Sequence, residues 1–373
     1  MTSHVVDVTM FWSGEAGGVA RYLRSKHQWL EAKPEWRHSI VTPAGEAHEV
    51  RRVRSLPLPG SAGYRVPIGR ARATALMRRL APDIIEAGDP YQLAWAALDA
   101  GQQCSVPVVA FCHSDLESVV ADRLGTWAER AARRYLRNLY SNFDAVLAPS
   151  RWMARRLEEL GVERVVRQPL GVECEVFHPR RRDPDWRSSI GVSPETHVLL
   201  YAGRFAAEKR LSRLVEAVRL LGPGHVLVCI GNGPQRPSGE RVIVLPYHRD
   251  AEVLARAIAS ADVFVHAGES ETFGLAALEA MACGTPVVGV AAAGIGELLV
   301  PEVGARIEER SAGAFADGVR SVLAREQTSL RAAARAHALG FDWSVTFTQM
   351  VERYRRLRQM SVPAPIPQAR YAG

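Results

Sequence analysis

The chain has 373 residues, enough for two or three domains at roughly 150 each. Hydrophobic residues make up 47% and charged residues 23%, which excludes a disordered, fibrous or disulfide-stapled protein. Lys plus Arg outnumber Asp plus Glu by 47 to 40, a net charge of +7 that permits attraction to phosphate ligands or anionic lipid without requiring nucleic acid.

Short β-branched runs alternate with helical patterns, as in βαβ units. In chain order the first half offers strands at 4–11, 39–42, 83–87, 106–112 and 143–148, and the second half at 198–202, 226–230, 242–245, 263–266 and 286–290. A polar, proline-marked stretch from Pro169 to Pro184 separates the halves and reads as a hinge. The expected fold class is α/β: a domain over 1–175, a second over 176–340, a helix over 341–360 packing back on the first domain, and a flexible tail over 361–373. Two such parallel sheets would face each other across a cleft at their carboxyl strand edges.

The five cysteines form no CxxC pair and fit a reducing, cytoplasmic setting. Val5 to Phe11 is too short, and too interrupted by Asp7, for a secretory signal. Pro286 to Val300, the longest apolar stretch, contains Glu297 and is shorter than the ~20 residues of a membrane span. Only Lys26, Lys33 and Lys209 are lysines; every other basic residue is arginine. A lysine kept against that bias invites a reason.

Three strings carry candidate chemistry. Gly14 to Tyr22 follows the first strand with three glycines, Gly14, Gly17 and Gly18, and enters a helix. Its backbone N–H groups could meet phosphate or simply make a tight turn. Arg204 and Lys209 stand five residues apart after the strand ending at Ala202. They could straddle a diphosphate, or make a solvated face or a helix-end salt bridge. The string Gly268 to Pro286 runs as loop, helix, glycine stop and strand, with Glu271 just before the helix and Glu279 inside it. Carboxylates would repel a diphosphate, so neutral hydroxyls of a sugar and a ribose are their natural partners.

Together these strings resemble the retaining glycosyltransferases of family 4, with the two-Rossmann GT-B architecture. The likeness also takes in Gly171 to Pro179 and Gly231-Asn232-Gly233-Pro234. It implies that Arg204 and Lys209 bind the donor diphosphate, that Glu279 holds the ribose and that Glu271 contacts the donor sugar. By the same likeness Phe273, Gly274 and Leu275 offer N–H groups to sugar and phosphate, and Gly17 and Gly18 approach from the other domain. Gly231, Gly233 and Leu245 then border the donor, and His113 is the cleft histidine; without the likeness, His113 reads first as a hydrogen-bonded strand-end histidine. The catalytic set implied is His113, Arg204, Lys209 and Glu271. The chain departs from the family at His266-Ala267 and at Pro246, and the second departure leaves the nucleobase open.

Asp183-Pro184-Asp185 has the form of a metal-binding DxD, but it sits in an arginine-rich linker and reads as turn chemistry. No metal or other cofactor is expected, since Arg204 and Lys209 supply positive charge. No carboxylate is an evident nucleophile, so a front-face displacement with retention is expected. The donor is a nucleotide sugar, GDP-mannose ahead of UDP-glucose, and the acceptor a lipid or glycan hydroxyl. Arg70, Arg72, Arg78 and Arg79, and a second group of Arg130, Arg133, Arg134 and Arg137 opposite Trp127, Ala131, Tyr135 and Leu139, are either solvated faces or peripheral contacts with an anionic membrane. A sugar-nucleotide epimerase, a phosphorylase and a binding protein are the alternatives. Nucleic acid is not an expected partner, because no aromatic residues interleave with a basic groove.

Overall fold

The computed structural model describes residues 2–12, 17–45, 47–58, 64–117, 120 and 125–361. Residues 14–16 of the first glycine string and 362–373 of the expected tail lie outside them. The first half runs through strands β1 (Ser3–Val8), β2 (Trp36–Thr42), β3 (Val50–Arg52), β4 (Ser55–Pro57), β5 (Arg65–Pro67), β6 (Ile84–Ala87), β7 (Val108–Phe111), β8 (Ala145–Ala148) and β9 (Val165–Arg167). Seven of these form one sheet in the order β3-β2-β1-β6-β7-β8-β9, while β4 and β5 pair separately as an antiparallel ribbon. The second half contributes β10 (His197–Ala202), β11 (His225–Ile230), β12 (Val242–Leu245), β13 (Val263–His266), β14 (Val287–Val290) and β15 (Gly304–Ile307). Their sheet order is β12-β11-β10-β13-β14-β15, and the pairings within both large sheets are parallel.

Parallel strands covered on both faces need near-continuous apolar sequence. β13 is buried at every position, and Val5, Val6 and Val8 of β1 are 0–1% exposed. The opening strand ends at Val8 rather than Phe11. The Thr9 N–H still meets Val41 O at 3.1 Å, but the Thr9 hydroxyl and the Met10 N–H donate to the Asp89 carboxylate at 2.9 and 2.5 Å, which takes the chain off the ladder at Met10. Besides the β4–β5 ribbon, three strands were not expected: β3, β9 and β15 are three or four residues long and each carries arginine. They are the edge positions of their sheets, where short, charged strands discourage further pairing.

In each sheet the chain first builds outward from a founding strand, then returns to its other side. The reversals fall between β1 and β6 and between β10 and β13. Crevices outside the carboxyl ends of strands at such reversals are where open α/β sheets bind ligands.

The Trp343–Ser361 helix closes over the first sheet and meets a buried ionic cluster beneath the Gly18–Glu31 helix. Lys26, fully buried, lies 2.7 Å from Asp7 Oδ1, 3.0 Å from Glu86 Oε1 and 2.9 Å from the Tyr354 hydroxyl. His38 Nε2 adds a 2.8 Å contact to Asp7, and the Tyr22 and Tyr354 hydroxyls both donate to Glu86. Burial raises the Glu86 carboxyl. Burial opposes ionisation of Asp7 too, but Lys26 and His38 overcome it and hold that carboxyl low. The cluster thus joins β1, β2, β6 and both helices through Lys26, whose removal would leave buried Asp7 with His38 as its remaining partner.

The basic helix of the first half spans Thr126–Tyr140, and its buried side differs from expectation. Ala128, Ala132, Leu136, Leu139 and Tyr140 face the core, whereas Ala131 and Tyr135 are exposed. Arg133 turns inward to Glu117 at 2.5 Å, leaving Arg130, Arg134 and Arg137 outside. Among the described residues no helix is long and apolar enough to cross a membrane.

Candidate active site

The loops that follow β10 and β13, the two strands at the second sheet's reversal, meet at Lys209 and Glu271. The Lys209 Nζ and the Glu271 carboxylate form an ion pair, with 18% and 22% of their side chains exposed. Behind them His266, 3% exposed, ends β13 with Nε2 3.1 Å from Glu271. The Gly268 N–H donates to His266 Nδ1 at 3.2 Å. In neutral imidazole only the other nitrogen then carries a proton, so Nε2 donates to Glu271. Burial alone would raise the Glu271 carboxyl, but Lys209's charge and the His266 hydrogen bond outweigh it and hold the group well below the usual carboxylate range. A backbone bond from Gly294 N to Glu271 O at 2.7 Å closes the loop.

Of Arg204, Lys209, Glu271 and Glu279, Lys209 and Glu271 are the pair in direct contact with each other. Arg204 leaves the same β10 loop, but its side chain is 66% exposed and reaches Glu208 at 2.6 Å. Glu279 lies in the Leu275–Ala282 helix, 3% exposed, with its carboxylate against Arg21 of the first half. Phe273 is buried edge-on to Phe341 at 6.0 Å. Gly274 precedes the helix at φ 103°, a conformation that glycine reaches without strain. Leu275 presses on the opposite half: a Cβ placed on Gly18 would lie 3.1 Å from its Cδ1. Gly18 thus faces the N-terminus of the second half's helix at close range, whereas the nearest group to a Cβ on Gly17 is the Tyr64 hydroxyl at 3.9 Å.

His113 follows β7 and belongs to the same meeting of halves. Its backbone carbonyl accepts from the Thr272 hydroxyl at 3.0 Å. The imidazole stacks on Phe111 at 4.2 Å and leans on Tyr22 at 4.9 Å. Burial, helped by the positive charge of Lys26, lowers its pKa to about 3, so the ring is neutral at physiological pH. Its Nε2 is buried and has no hydrogen-bond partner among the described residues.

The glycine loop after β11 packs backbone to backbone on the loop after β10. A Cβ at Gly231 would collide with the Gly203 carbonyl, and one at Gly233 with the Phe205 carbonyl. Phe205 N donates to Asn232 O at 2.7 Å, and Gly231 N to Leu245 O at 3.2 Å. These contacts shape an open cavity of about 440 Å³ at the ends of β10, β11 and β12, lined by Phe205, Gly231, Gly233, Arg236, Tyr247 and Arg249 among others. Pro246, a departure from the family pattern, lies on its wall.

Among the described residues no group of three or more His, Cys, Asp or Glu side chains is placed to hold a metal ion. Asp183 Oδ1 accepts from Asp185 N at 2.9 Å, a side-chain turn of the kind Asp favours. Residues that the motif reading did not single out are Arg21, His266 as the partner of Glu271, and Glu297. The Glu297 carboxylate accepts from Arg151 N at 2.9 Å and Trp152 N at 2.5 Å, capping across the halves the first turn of the Arg151–Glu159 helix. Only His266 left a trace in sequence, as a departure from the family's usual residue.

Residues 183–338 match the family described as glycosyl transferases group 1, and residues 16–176 match glycosyltransferase family 4. The chain is 31% identical, over 93% of its length and 94% of the relative's, to a GDP-mannose-dependent alpha-(1-6)-phosphatidylinositol dimannoside mannosyltransferase of Mycobacterium tuberculosis. The chain is a family 4 glycosyltransferase. This transferase is also 30% identical, over 89% of both chains, to a GDP-mannose-dependent alpha-mannosyltransferase of Mycolicibacterium smegmatis. Its fold matches a sucrose-phosphate synthase of Thermosynechococcus elongatus with a TM-score of 0.77, covering 96% of this chain and all of the other at 22% identity. A second match, at TM-score 0.74 and 19% identity over 94% and 99%, is the Anabaena protein HepE in complex with UDP and glucose. The transferase therefore has the GT-B architecture of two facing Rossmann-like sheets.

Proposed function

We propose that the transferase moves a mannosyl residue from GDP-mannose to a hydroxyl of a lipid or glycan acceptor, retaining the anomeric configuration without a metal ion. The observation that carries the reading is the Lys209–Glu271 pair, placed at the second sheet's reversal beside the Leu275–Ala282 helix N-terminus. A leaving diphosphate needs preorganised positive charge. Lys209, Arg204 after rotation from Glu208, and the N–H groups of Gly274 and Leu275 supply it. Glu271, ionised and held by His266, accepts hydrogen bonds from sugar hydroxyls. The neutral His113, with its Nε2 unpaired, adds one more contact from the first half, and Glu279 takes the ribose once Arg21 yields it.

The cavity over Gly231 and Gly233 suits the nucleobase, with the faces of Phe205 and Tyr247 and the donors of Arg236 and Arg249 on its walls. The two relatives named for GDP-mannose support guanine and mannose. In the front-face step the bond from the anomeric carbon to the diphosphate oxygen breaks as the acceptor oxygen bonds on the same face. The acceptor's proton passes to the departing phosphate oxygen, so no enzyme nucleophile is consumed. The test is donor consumption across GDP-mannose, UDP-glucose and UDP-galactose with and without EDTA. GDP-mannose consumed alone and undiminished by EDTA supports the reading. Preference for a UDP sugar overturns the donor, and loss on chelation restored by Mg²⁺ overturns the metal-free mechanism.

A further inference from the structure

The β4–β5 ribbon has its amphipathic pattern reversed. In the register Leu56 stands opposite Val66, and Leu58 and Ile68 follow two residues beyond each, so all four share one face. That face is exposed: Leu56 by 60%, Leu58 by 46%, Val66 by 39% and Ile68 by 38%. The opposite face carries Ser55 and Arg65, both half-buried, between Pro67 and an exposed Pro57. Arg65 Nε donates to the Ser55 hydroxyl at 2.9 Å, Ser55 donates to Pro43 O at 2.9 Å, and Pro67 is buried. A ribbon stable in water alone would present these faces the other way round.

The charge around the ribbon identifies what covers it. Residues 50–82 contain eight arginines and no Asp or Glu, more positive charge than the +7 of the whole chain. Arg54 and Arg72 are exposed beside the apolar face: Arg54 O accepts from Ile68 N at 2.7 Å, and the Arg72 stem lies along Gly69. Arg70 is answered by Asp99. A second copy would bring an identical cationic rim against this one, and nucleic acid would leave the leucines in water. Apolar side chains ringed by guanidiniums fit the boundary between acyl chains and anionic headgroups.

We propose that this ribbon face is the membrane-docking element, seating Leu56, Leu58, Val66 and Ile68 in an anionic bilayer with Arg54 and Arg72 on lipid phosphates. The ribbon leads directly to the site. Tyr64 packs edge-on to Phe11 at 5.9 Å, Phe11 to Tyr91 at 5.7 Å, and the Tyr64 hydroxyl lies 3.9 Å from a Cβ position on Gly17. Docking there brings a headgroup hydroxyl to the cleft, a consequence that rests on the lipid-acceptor reading; the docking itself does not.

The experiment is flotation with vesicles of phosphatidylcholine alone and of phosphatidylcholine mixed with phosphatidylinositol. The wild type floats with the anionic vesicles. The Leu56→Ser/Val66→Ser variant partitions at least about tenfold less, and Arg54→Ser about fivefold less with a weaker salt dependence. GDP-mannose hydrolysis without acceptor is unchanged in both variants. A wild type that stays unbound, or a double variant that floats equally, overturns the proposal. So does a wild-type dimer that the double variant dissolves, which gives the face to a second copy. Flotation without any GDP-mannose turnover overturns the proposed function and leaves the docking surface standing.

Discussion

Two lysines survive in functional surroundings of a protein that otherwise writes arginine, and each stands against carboxylates. Lys26 and its partner Asp7 have 0% and 2% of their side chains exposed, whereas Lys209 and Glu271 have 18% and 22%. Lys26 is answered on all sides by Asp7, Glu86 and the Tyr354 hydroxyl. Lys209 is answered by one carboxylate at the mouth of a cleft. The pairs differ less in chemistry than in access to water. A sealed pair is committed to the fold, because any vacated partner is left charged and dry. An open pair can exchange its partner for a ligand, because solvent and substrate both reach it.

The contrast is broken most readily at the sealed end. Lys26→Met leaves Asp7 without its main counter-charge and costs about 3–5 kcal/mol of stability by urea unfolding. A cost below about 1 kcal/mol, the scale of a surface pair, would make the two lysines alike. At the open end, Lys209→Ala lowers turnover of the nucleotide sugar by about 10²–10³-fold with little change in melting temperature. A collapse of stability there would assign Lys209 to structure. His266→Gln sharpens the picture: it weakens one charge-assisted bond to Glu271 and costs about tenfold in turnover, with the pH profile of activity altered and the fold intact.

Acidity gives the smallest effect. Burial would raise the Glu271 carboxyl, but Lys209 and His266 hold it below its ordinary value. Its contribution to stability is therefore complete above the unfolded pKa of about 4.3 and is lost as pH falls from there through the lower folded value. Glu271→Gln flattens that acid side of the curve of melting temperature against pH. An unchanged acid side would mean that the ion pair is not formed in solution.

The fold was legible because buried parallel strands must be apolar throughout. The run at 263–266 appears with the same bounds and is buried throughout, and 242–245 keeps its bounds as a half-buried edge strand that happens to be apolar throughout. β3, β9 and β15 escaped because an edge strand needs neither length nor a hydrophobic run. The ribbon escaped because its apolar residues face outward, against the rule that makes strands readable. At the site, Lys209 and Glu271 were legible as members of continuous strings, and the structure brings them together. Arg21 and Glu297 were not, since their partners Glu279 and the Arg151–Glu159 helix are more than a hundred residues away. Lys26 did leave a signal, the lysine kept against arginine. Its reason is geometric: a slender ammonium fits between Asp7, Glu86 and Tyr354 where a planar guanidinium would need a wider space.

Calorimetric titration of GDP and of guanosine into the wild type and Lys209→Ala addresses the open pair most directly. If Lys209 holds the donor diphosphate, the variant binds GDP about 10–100-fold more weakly and guanosine equally well. Equal GDP affinity in the two proteins, or a wild type that does not bind GDP, would contradict that role.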